Sequence, residues 1–277
     1  MESFDLPFRN SRIHCLRFGQ GPRQAICFHG YGETADSFAF LENSAGHLYT
    51  FYAIDLPFHG KTDWNEGTLK LEDLKLIISD IAQPSTMPAG RQALNFPLST
   101  FICYSLGGRM ALSLYQIMPE EIDKLILLAP DGLKLNFWYW LATQTWAGNR
   151  LFSLTMKHPG WFFGFLKGLN KLKLTNASIF KFVNYYIGDE VVREQLYKRW
   201  TGLRRIRPDL ASIKEKINKY GTRVELVYGE FDRIILSSVG EKFRKNIELH
   251  TKISLLHSGH QVLQEKHIGE LMKVLQS

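Results

Sequence analysis

Short apolar runs that end in turn residues alternate with amphipathic segments along the first half of the chain. Arg12 to Phe18 and Arg23 to Phe28 read as strands, the second running into His29-Gly30-Tyr31-Gly32. Asp36 has the chemistry of an N-cap and opens a predicted helix. Thr50 to Leu56 is a further strand, closed by Pro57. Apolar residues then fall at Leu71, Leu74, Ile77, Ile78 and Ile81, the spacing of one helix face across Leu69 to Ile81. Pro97 to Tyr104 is short and apolar, and it meets Ser105-Leu106-Gly107-Gly108 before a helical segment that ends near Met118. Asp123 to Ala129 is almost continuously apolar, as expected of a parallel strand covered on both faces. Alternation of this kind predicts a doubly wound, mostly parallel α/β sheet.

The rhythm stops after Asp131-Gly132. From Lys134 to Gly221 there is no convincing strand, only helical stretches rich in aromatic residues and punctuated by Gly and Pro. It resumes with a strand at Thr222 to Tyr228, a helix at Ser237 to Asn246, a strand at His250 to Leu256 and a helix from Val262 to Leu275. The expected organisation is an α/β core of residues 1–133 and 222–277, with a helical insertion, 134–221, ahead of the last two strands.

Composition narrows the class. Of the 277 residues 45% are hydrophobic, enough for a buried core and against a disordered chain. No apolar run approaches the length of a membrane-spanning helix, and the N-terminus lacks a basic stretch followed by an apolar one. Cys15, Cys27 and Cys103 are too few and too irregular for a disulfide framework or a zinc site. The expectation is a soluble cytoplasmic protein. The net charge of +7 is local: the insertion holds 16 Lys/Arg against 5 Asp/Glu, and the rest of the chain is mildly acidic. These basic residues are scattered without a nucleic-acid-binding motif, which argues against DNA or RNA as partner.

The candidate chemistry centres on Ser105. A serine on a sharp turn between a buried strand and a helix has its Oγ thrust out above the sheet, provided small residues let strand and helix approach. Gly107 meets that need on one side, and Cys103 stands on the other. Asp232 follows the next-to-last predicted strand and His260 the last. A serine needs a base to become nucleophilic, and an imidazole needs a carboxylate to fix its tautomer. The order Ser, Asp, His, each after a separate core strand, suits that division of labour. Asp131 is a competing acid, and His257 and His267 flank His260. Only His260 follows a glycine at the head of the closing helical segment. Cys103 should be buried beneath the turn and inert. The backbone N–H groups of Tyr31 and Leu106 are candidate donors to an oxyanion. The loop Asp55 to Thr62 reads as a structural neighbour of the site.

Taken together, these residues resemble the α/β-hydrolase fold superfamily, in particular its cap-bearing esterases, lipases and C–C hydrolases. The resemblance spans Arg12 to Leu133 and Thr222 to Leu275. It implies a cofactor-independent serine hydrolase, without a metal, whose insertion forms a cap over Ser105. Two residues depart from the family pattern: Cys103 replaces the first glycine of the elbow, and Phe58 stands where Asp-x-x-Gly-His-Gly has glycine.

The insertion carries five of the six tryptophans. Phe137-Trp138-Tyr139-Trp140 and Trp161-Phe162-Phe163 could line an apolar acyl pocket, with Trp138 and Trp161 touching substrate. They could instead meet an anionic membrane surface, with Lys157, Lys167, Lys171 and Lys173 facing headgroups, or simply form the insertion's own core. The run Tyr104 to Leu112 also resembles the elbow of the menaquinone-pathway synthase that makes 2-succinyl-6-hydroxy-2,4-cyclohexadiene-1-carboxylate. In that family the residue matching Arg109 helps bind a substrate carboxylate. The reading that follows is cleavage of a small-molecule ester or thioester with a sizeable apolar part. The alternative is lyase or C–C-bond chemistry on an anionic substrate, with the triad as base.

Overall fold

The computed structural model describes residues 1–82, 99–171 and 186–277. By its internal contacts the chain divides into two compact units, Met1–Lys134 with Ile206–Ser277, and Leu135–Arg205.

The first unit is an eight-stranded sheet with strands β1 Glu2–Phe8, β2 Ser11–Phe18, β3 Arg23–Phe28, β4 Tyr49–Ile54, β5 Ser99–Tyr104, β6 Ile122–Leu128, β7 Arg223–Gly229 and β8 Thr251–Leu256. Their spatial order is β1-β2-β4-β3-β5-β6-β7-β8. The β1–β2 and β2–β4 pairs are antiparallel, and all other neighbours are parallel. This is the expected doubly wound, mostly parallel sheet. The parallel strands are buried as predicted: every residue of β5 is buried, and in β6 all but Asp123. The start of the predicted strand, Pro97 and Leu98, lies outside the described residues.

Helices cover the sheet. In α1 (Leu41–Ala45) and α10 (Ile268–Gln276), which follows α9 (Ser237–Arg244), Leu41, Ala45, Leu271, Val274 and Leu275 join Phe18, Tyr49 and Phe51 in one buried cluster. In α2 (Leu71–Ala82), Leu74, Ile77, Ile78 and Ile81 form the anticipated buried stripe. Lys124 is a charged residue inside this apolar strand layer. Its ammonium donates to the carbonyls of Val274 and Ser277 at 2.7 and 2.8 Å, and burial pushes its pKa down to about 8.

Three local expectations change. Asp36 does not cap a helix: Ala35–Phe38 is a single 3₁₀ turn with Thr34 at its N-cap position. The closing helix begins at Ile268, after a 3₁₀ turn at Glu265–His267, so Val262 and Leu263 are buried in a loop. Strand β1 is an addition. Phe4, Leu6 and Phe8 alternate with exposed residues, and Pro7 interrupts the pattern in a way an edge strand tolerates.

The second unit is shorter than the 134–221 insertion inferred from the sequence. Leu210–Tyr220 (α8) belongs to the first unit. Its Ile213 and Ile217, one turn apart, are fully buried. The N–H of Asp209 donates to Gln116 Oε1 at 2.9 Å, and Lys216 donates to the Gln116 carbonyl. Asp209 caps the start of α8 and Gly221, with φ 67°, ends it. What remains is α4 Phe137–Gln144, α5 Trp146–Lys157, α6 Gly160–Lys171 and α7 Glu190–Gly202. Asn136, Thr145 and Asp189 cap α4, α5 and α7. No strand occurs in this unit among the described residues, as expected. The Trp200 ring packs on Tyr139 and Phe152, so that tryptophan belongs to the unit's own core. Lys173 lies outside the described residues. No helix among the described residues is long and apolar enough to cross a membrane.

Candidate active site

The chain leaves β5 at Tyr104 and enters helix α3 (Leu106–Tyr115) one residue later. So abrupt a reversal forces Ser105 to φ 47° and ψ −110°, a conformation that L-residues adopt at a cost of about 1–3 kcal/mol. The surrounding backbone holds it there. Ser105 N–H donates to Leu128 O at 2.9 Å, and Ser105 O accepts from Gly108 and Asp131 at 2.9 and 2.8 Å. Gly107 is where helix and strand meet: a Cβ there would lie 2.0 Å from the Phe28 carbonyl oxygen. Cys103 needs no such clearance. It sits within the β5 ladder, fully buried, and burial raises its thiol pKa well above the ordinary range.

Two loops at the same end of the sheet bring in the other groups. The loops after β7 and β8 are laced together: Glu230 N–H donates to Leu256 O, and Phe231 N–H to Ser258 O. They touch so closely that a Cβ on Gly229 would fall 1.9 Å from Gly259 O. Asp232 is buried in this pair. Its Oδ1 accepts from the Ile234 and Ile235 amides at 2.7 and 3.0 Å. Its Oδ2 lies 2.8 Å from His260 Nδ1. With the carboxylate accepting, Nδ1 carries the proton, and the lone pair of Nε2 faces Ser105 Oγ at 3.0 Å. The ring of Tyr104 lies against that of His260, 5.4 Å between centroids, and its hydroxyl donates to the His260 carbonyl at 3.3 Å.

The competing groups are engaged elsewhere. Asp131 Oδ2 is 3.3 Å from Arg109 Nε, and its Oδ1 accepts from Gly132 N–H at 2.7 Å. The Arg109 side chain is only 11% exposed in this pairing. His257 pairs with Glu230 at the surface, and His267 is buried in the turn before α10.

Tyr31 and Leu106 occupy two adjoining turns. Leu106 is the first residue of α3, so its N–H has no acceptor within the helix. The Tyr31 loop is pinned to the elbow by a bond from Gly107 N–H to His29 O at 3.1 Å. Behind it stands the predicted structural loop. His29 Nε2 accepts from Leu56 N–H at 3.0 Å, while Asp55 takes the Ala35 and Lys61 amides at 2.7 Å each. Phe58, the departure from the family's glycine, has φ 68°, which accounts for glycine being the family's choice there.

One neighbour was missed. Glu33 stands in the same turn as Tyr31, its Oε2 3.4 Å from Gly30 N–H. Burial raises its carboxyl pKa, against the lowering influences of the Gly30 amide, Ser37, His260 and Gln261. A charged residue directly after His29-Gly30-Tyr31-Gly32 was the available signal. Trp138 and Trp161 belong to the second unit, where they are 72% and 43% exposed.

A strained serine on a strand–turn–helix elbow, hydrogen-bonded to a histidine that is itself held by an aspartate, both from later loops of a parallel sheet, defines a class of α/β enzymes with a common site plan. The chain belongs to the alpha/beta hydrolase fold family, whose profile matches residues 26–266. It is 24% identical over 272 residues to the uncharacterized hydrolase YugF of Bacillus subtilis, with 91% of each chain covered. It is 28% identical over 156 residues to the pimeloyl-(acyl-carrier protein) methyl ester esterase of Nitrosospira multiformis, spanning 52% of this chain and 55% of that one. Among solved structures, the thioesterase domain from the curacin biosynthetic pathway superimposes with a TM-score of 0.61 at 18% identity, covering 100% of this chain and 99% of that one, a likeness of fold.

Proposed function

We propose that the chain is a serine hydrolase that cleaves a carboxylic ester or thioester through an acyl-enzyme. The observation that carries this reading is the continuous chain Ser105 Oγ–His260–Asp232, with links of 3.0 and 2.8 Å. His260 Nε2 takes the Ser105 proton as Oγ attacks the substrate carbonyl. Asp232, buried and braced by two amides, holds the imidazole in register and offsets the charge it gains. The Leu106 and Tyr31 amides receive the oxyanion. His260 then returns the proton to the departing alkoxide or thiolate. Water, deprotonated by the same imidazole, attacks the acyl-enzyme, and the carboxylic acid leaves as Oγ regains its proton.

The acyl preference draws on the second unit. Phe137, Trp138, Trp161 and Phe165 are all exposed there, and aromatic side chains of this kind suit an apolar acyl chain. The methyl ester esterase and thioesterase among the similar proteins act on the same bond types. Arg109, held by Asp131, lends no support to an anionic substrate.

The test is labelling by a fluorophosphonate probe. Wild type should label, and Ser105→Ala should not. Labelling that persists in Ser105→Ala would remove the nucleophile assignment. Turnover of p-nitrophenyl octanoate should exceed that of the acetate, and equal turnover would remove the apolar preference.

A further inference from the structure

Within the helical unit an open cavity of about 650 Å³ is bounded by α5, α7 and the turn that follows α7. Three arginines line it: Arg150 from α5, and Arg204 and Arg205 from the turn. Trp146, Asn149 and Tyr197 also line it. Among the described residues, no carboxylate lines the cavity. Residues 135–205 contain 11 Lys/Arg but only three acids, Asp189, Glu190 and Glu194. Asp189 is spent capping α7, and Glu194 pairs with Lys198 at 2.8 Å. Within this unit, among the described residues, none of the three arginines forms an ion pair with a carboxylate.

Like charges gathered around one concavity repel one another, and that cost persists unless something relieves it. The backbone around the cavity is braced. Gln144 Nε2 donates to the Arg204 carbonyl at 2.7 Å, tying the turn to the end of α4. Asn149 Nδ2 donates to the Ala142 carbonyl at 3.1 Å. The Arg150 guanidinium rests over the Trp146 ring, 5.6 Å from its centroid. Guanidinium forks match phosphate oxygens in bidentate geometry, and planar Arg loses little freedom when it engages them. The cavity lies in the size range of small-molecule sites. It is roomy for one inorganic anion, and the exposed Trp146 is among its lining residues.

We propose that this cavity binds a phosphorylated ligand, its phosphoryl oxygens held by Arg150, Arg204 and Arg205. All its lining residues belong to the helical unit, and binding there is independent of the hydrolase reading. Such a phosphoryl group could be carried by a free organic phosphate or by a lipid headgroup, and two assays distinguish these sources. One is calorimetric titration with inorganic pyrophosphate, and the other is co-sedimentation with phosphatidylglycerol vesicles. Each is run on wild type, on the triple variant Arg150→Gln/Arg204→Gln/Arg205→Gln, and on a charge-matched control of exposed lysines in the sheet unit, Lys252→Gln/Lys266→Gln/Lys273→Gln. The expected result is saturable binding in at least one assay, weakened about tenfold or more in the arginine variant and nearly unchanged in the lysine control. A pyrophosphate response identifies a soluble phosphate, and a vesicle response alone identifies a lipid headgroup. No binding in either assay, or equal loss in both variants, overturns the proposal. A single Arg150→Gln variant, with thermal melting checked beside wild type, guards against unfolding of the triple variant.

Discussion

A side chain on Gly107 would collide with the carbonyl oxygen of Phe28, since its Cβ would stand 2.0 Å away. The elbow therefore rests on a contact between helix α3 and strand β3 that only glycine permits. Gly107→Ala should cost about 2–4 kcal/mol, because the clash is with backbone and cannot be relieved by a rotamer change. Gly164→Ala is the counterpart: its Cβ would meet nothing within 4 Å in α6, and removing backbone freedom there should stabilise by about 0.5–1 kcal/mol. Denaturant midpoints that move the same way in both variants would contradict this.

Asp232 and Asp131 both follow core strands, yet only Asp232 reaches His260. Asp232→Asn should lower kcat by roughly 10³–10⁴-fold near neutral pH, the penalty for losing the correct imidazole tautomer in triads of this kind. Asp131→Asn should stay within about twofold of wild type, because its partner is Arg109. Steady-state kinetics on one chromogenic ester decides the matter, and reversal of the two effects would exchange the assignments.

The raised pKa of Glu33 has a definite sign in stability. A carboxyl whose pKa is higher in the folded protein favours the protonated form there. Below the ordinary carboxylate value both states are protonated and nothing is lost. Above the folded value the full cost of burying the charge is present. Glu33→Gln should therefore raise Tm at neutral pH, by up to about 2 °C for a half-buried position. The gain should vanish as the pH drops below the ordinary carboxylate range. An equal gain at both pH values would point to packing rather than charge.

All three cysteines are fully buried, and burial raises the pKa of each thiol. The native protein should leave Ellman's reagent unchanged over minutes, and three thiols should appear once guanidinium chloride unfolds it. A fast-reacting thiol in the native state would show that Cys103 is not shielded beneath the elbow.

Much of this architecture is legible in the residues because its signals are local. The near-continuous apolar runs of β5 and β6 announce strands covered on both faces. The Ser105 turn carries its small residues beside it, and Asp232 and His260 follow strands with clear boundaries. The structure brings those three side chains together as their order in the chain suggested. What escaped depends on contacts distant in sequence. Nothing around Leu210 says that Ile213 and Ile217 will be buried with the sheet unit rather than with the helices before them, because an apolar stripe does not name its partner. Glu33 is unremarkable as a letter and acquires meaning only where Gly30, Tyr104 and His260 converge. The β1 signal was readable in Phe4, Leu6 and Phe8, but Pro7 obscured it.

Strands β6 and β7 are direct neighbours, paired from Lys124 with Arg223 to Leu128 with Val227. The helix that parallel neighbours require between them is already supplied by α8. Where the helical unit departs and returns, the chain almost closes on itself: a Cβ on Gly132 would lie 3.2 Å from Pro208 Cγ. The β6–α8–β7 crossover is thus complete without residues 135–205, which enter the chain as an inserted loop between β6 and α8. Because closure cost grows only slowly with loop length, evolution or a protein engineer can lengthen, shorten or exchange that loop while strand register and the Ser105 elbow stay as they are. Sequence drift in this lineage should accordingly concentrate between Leu135 and Arg205.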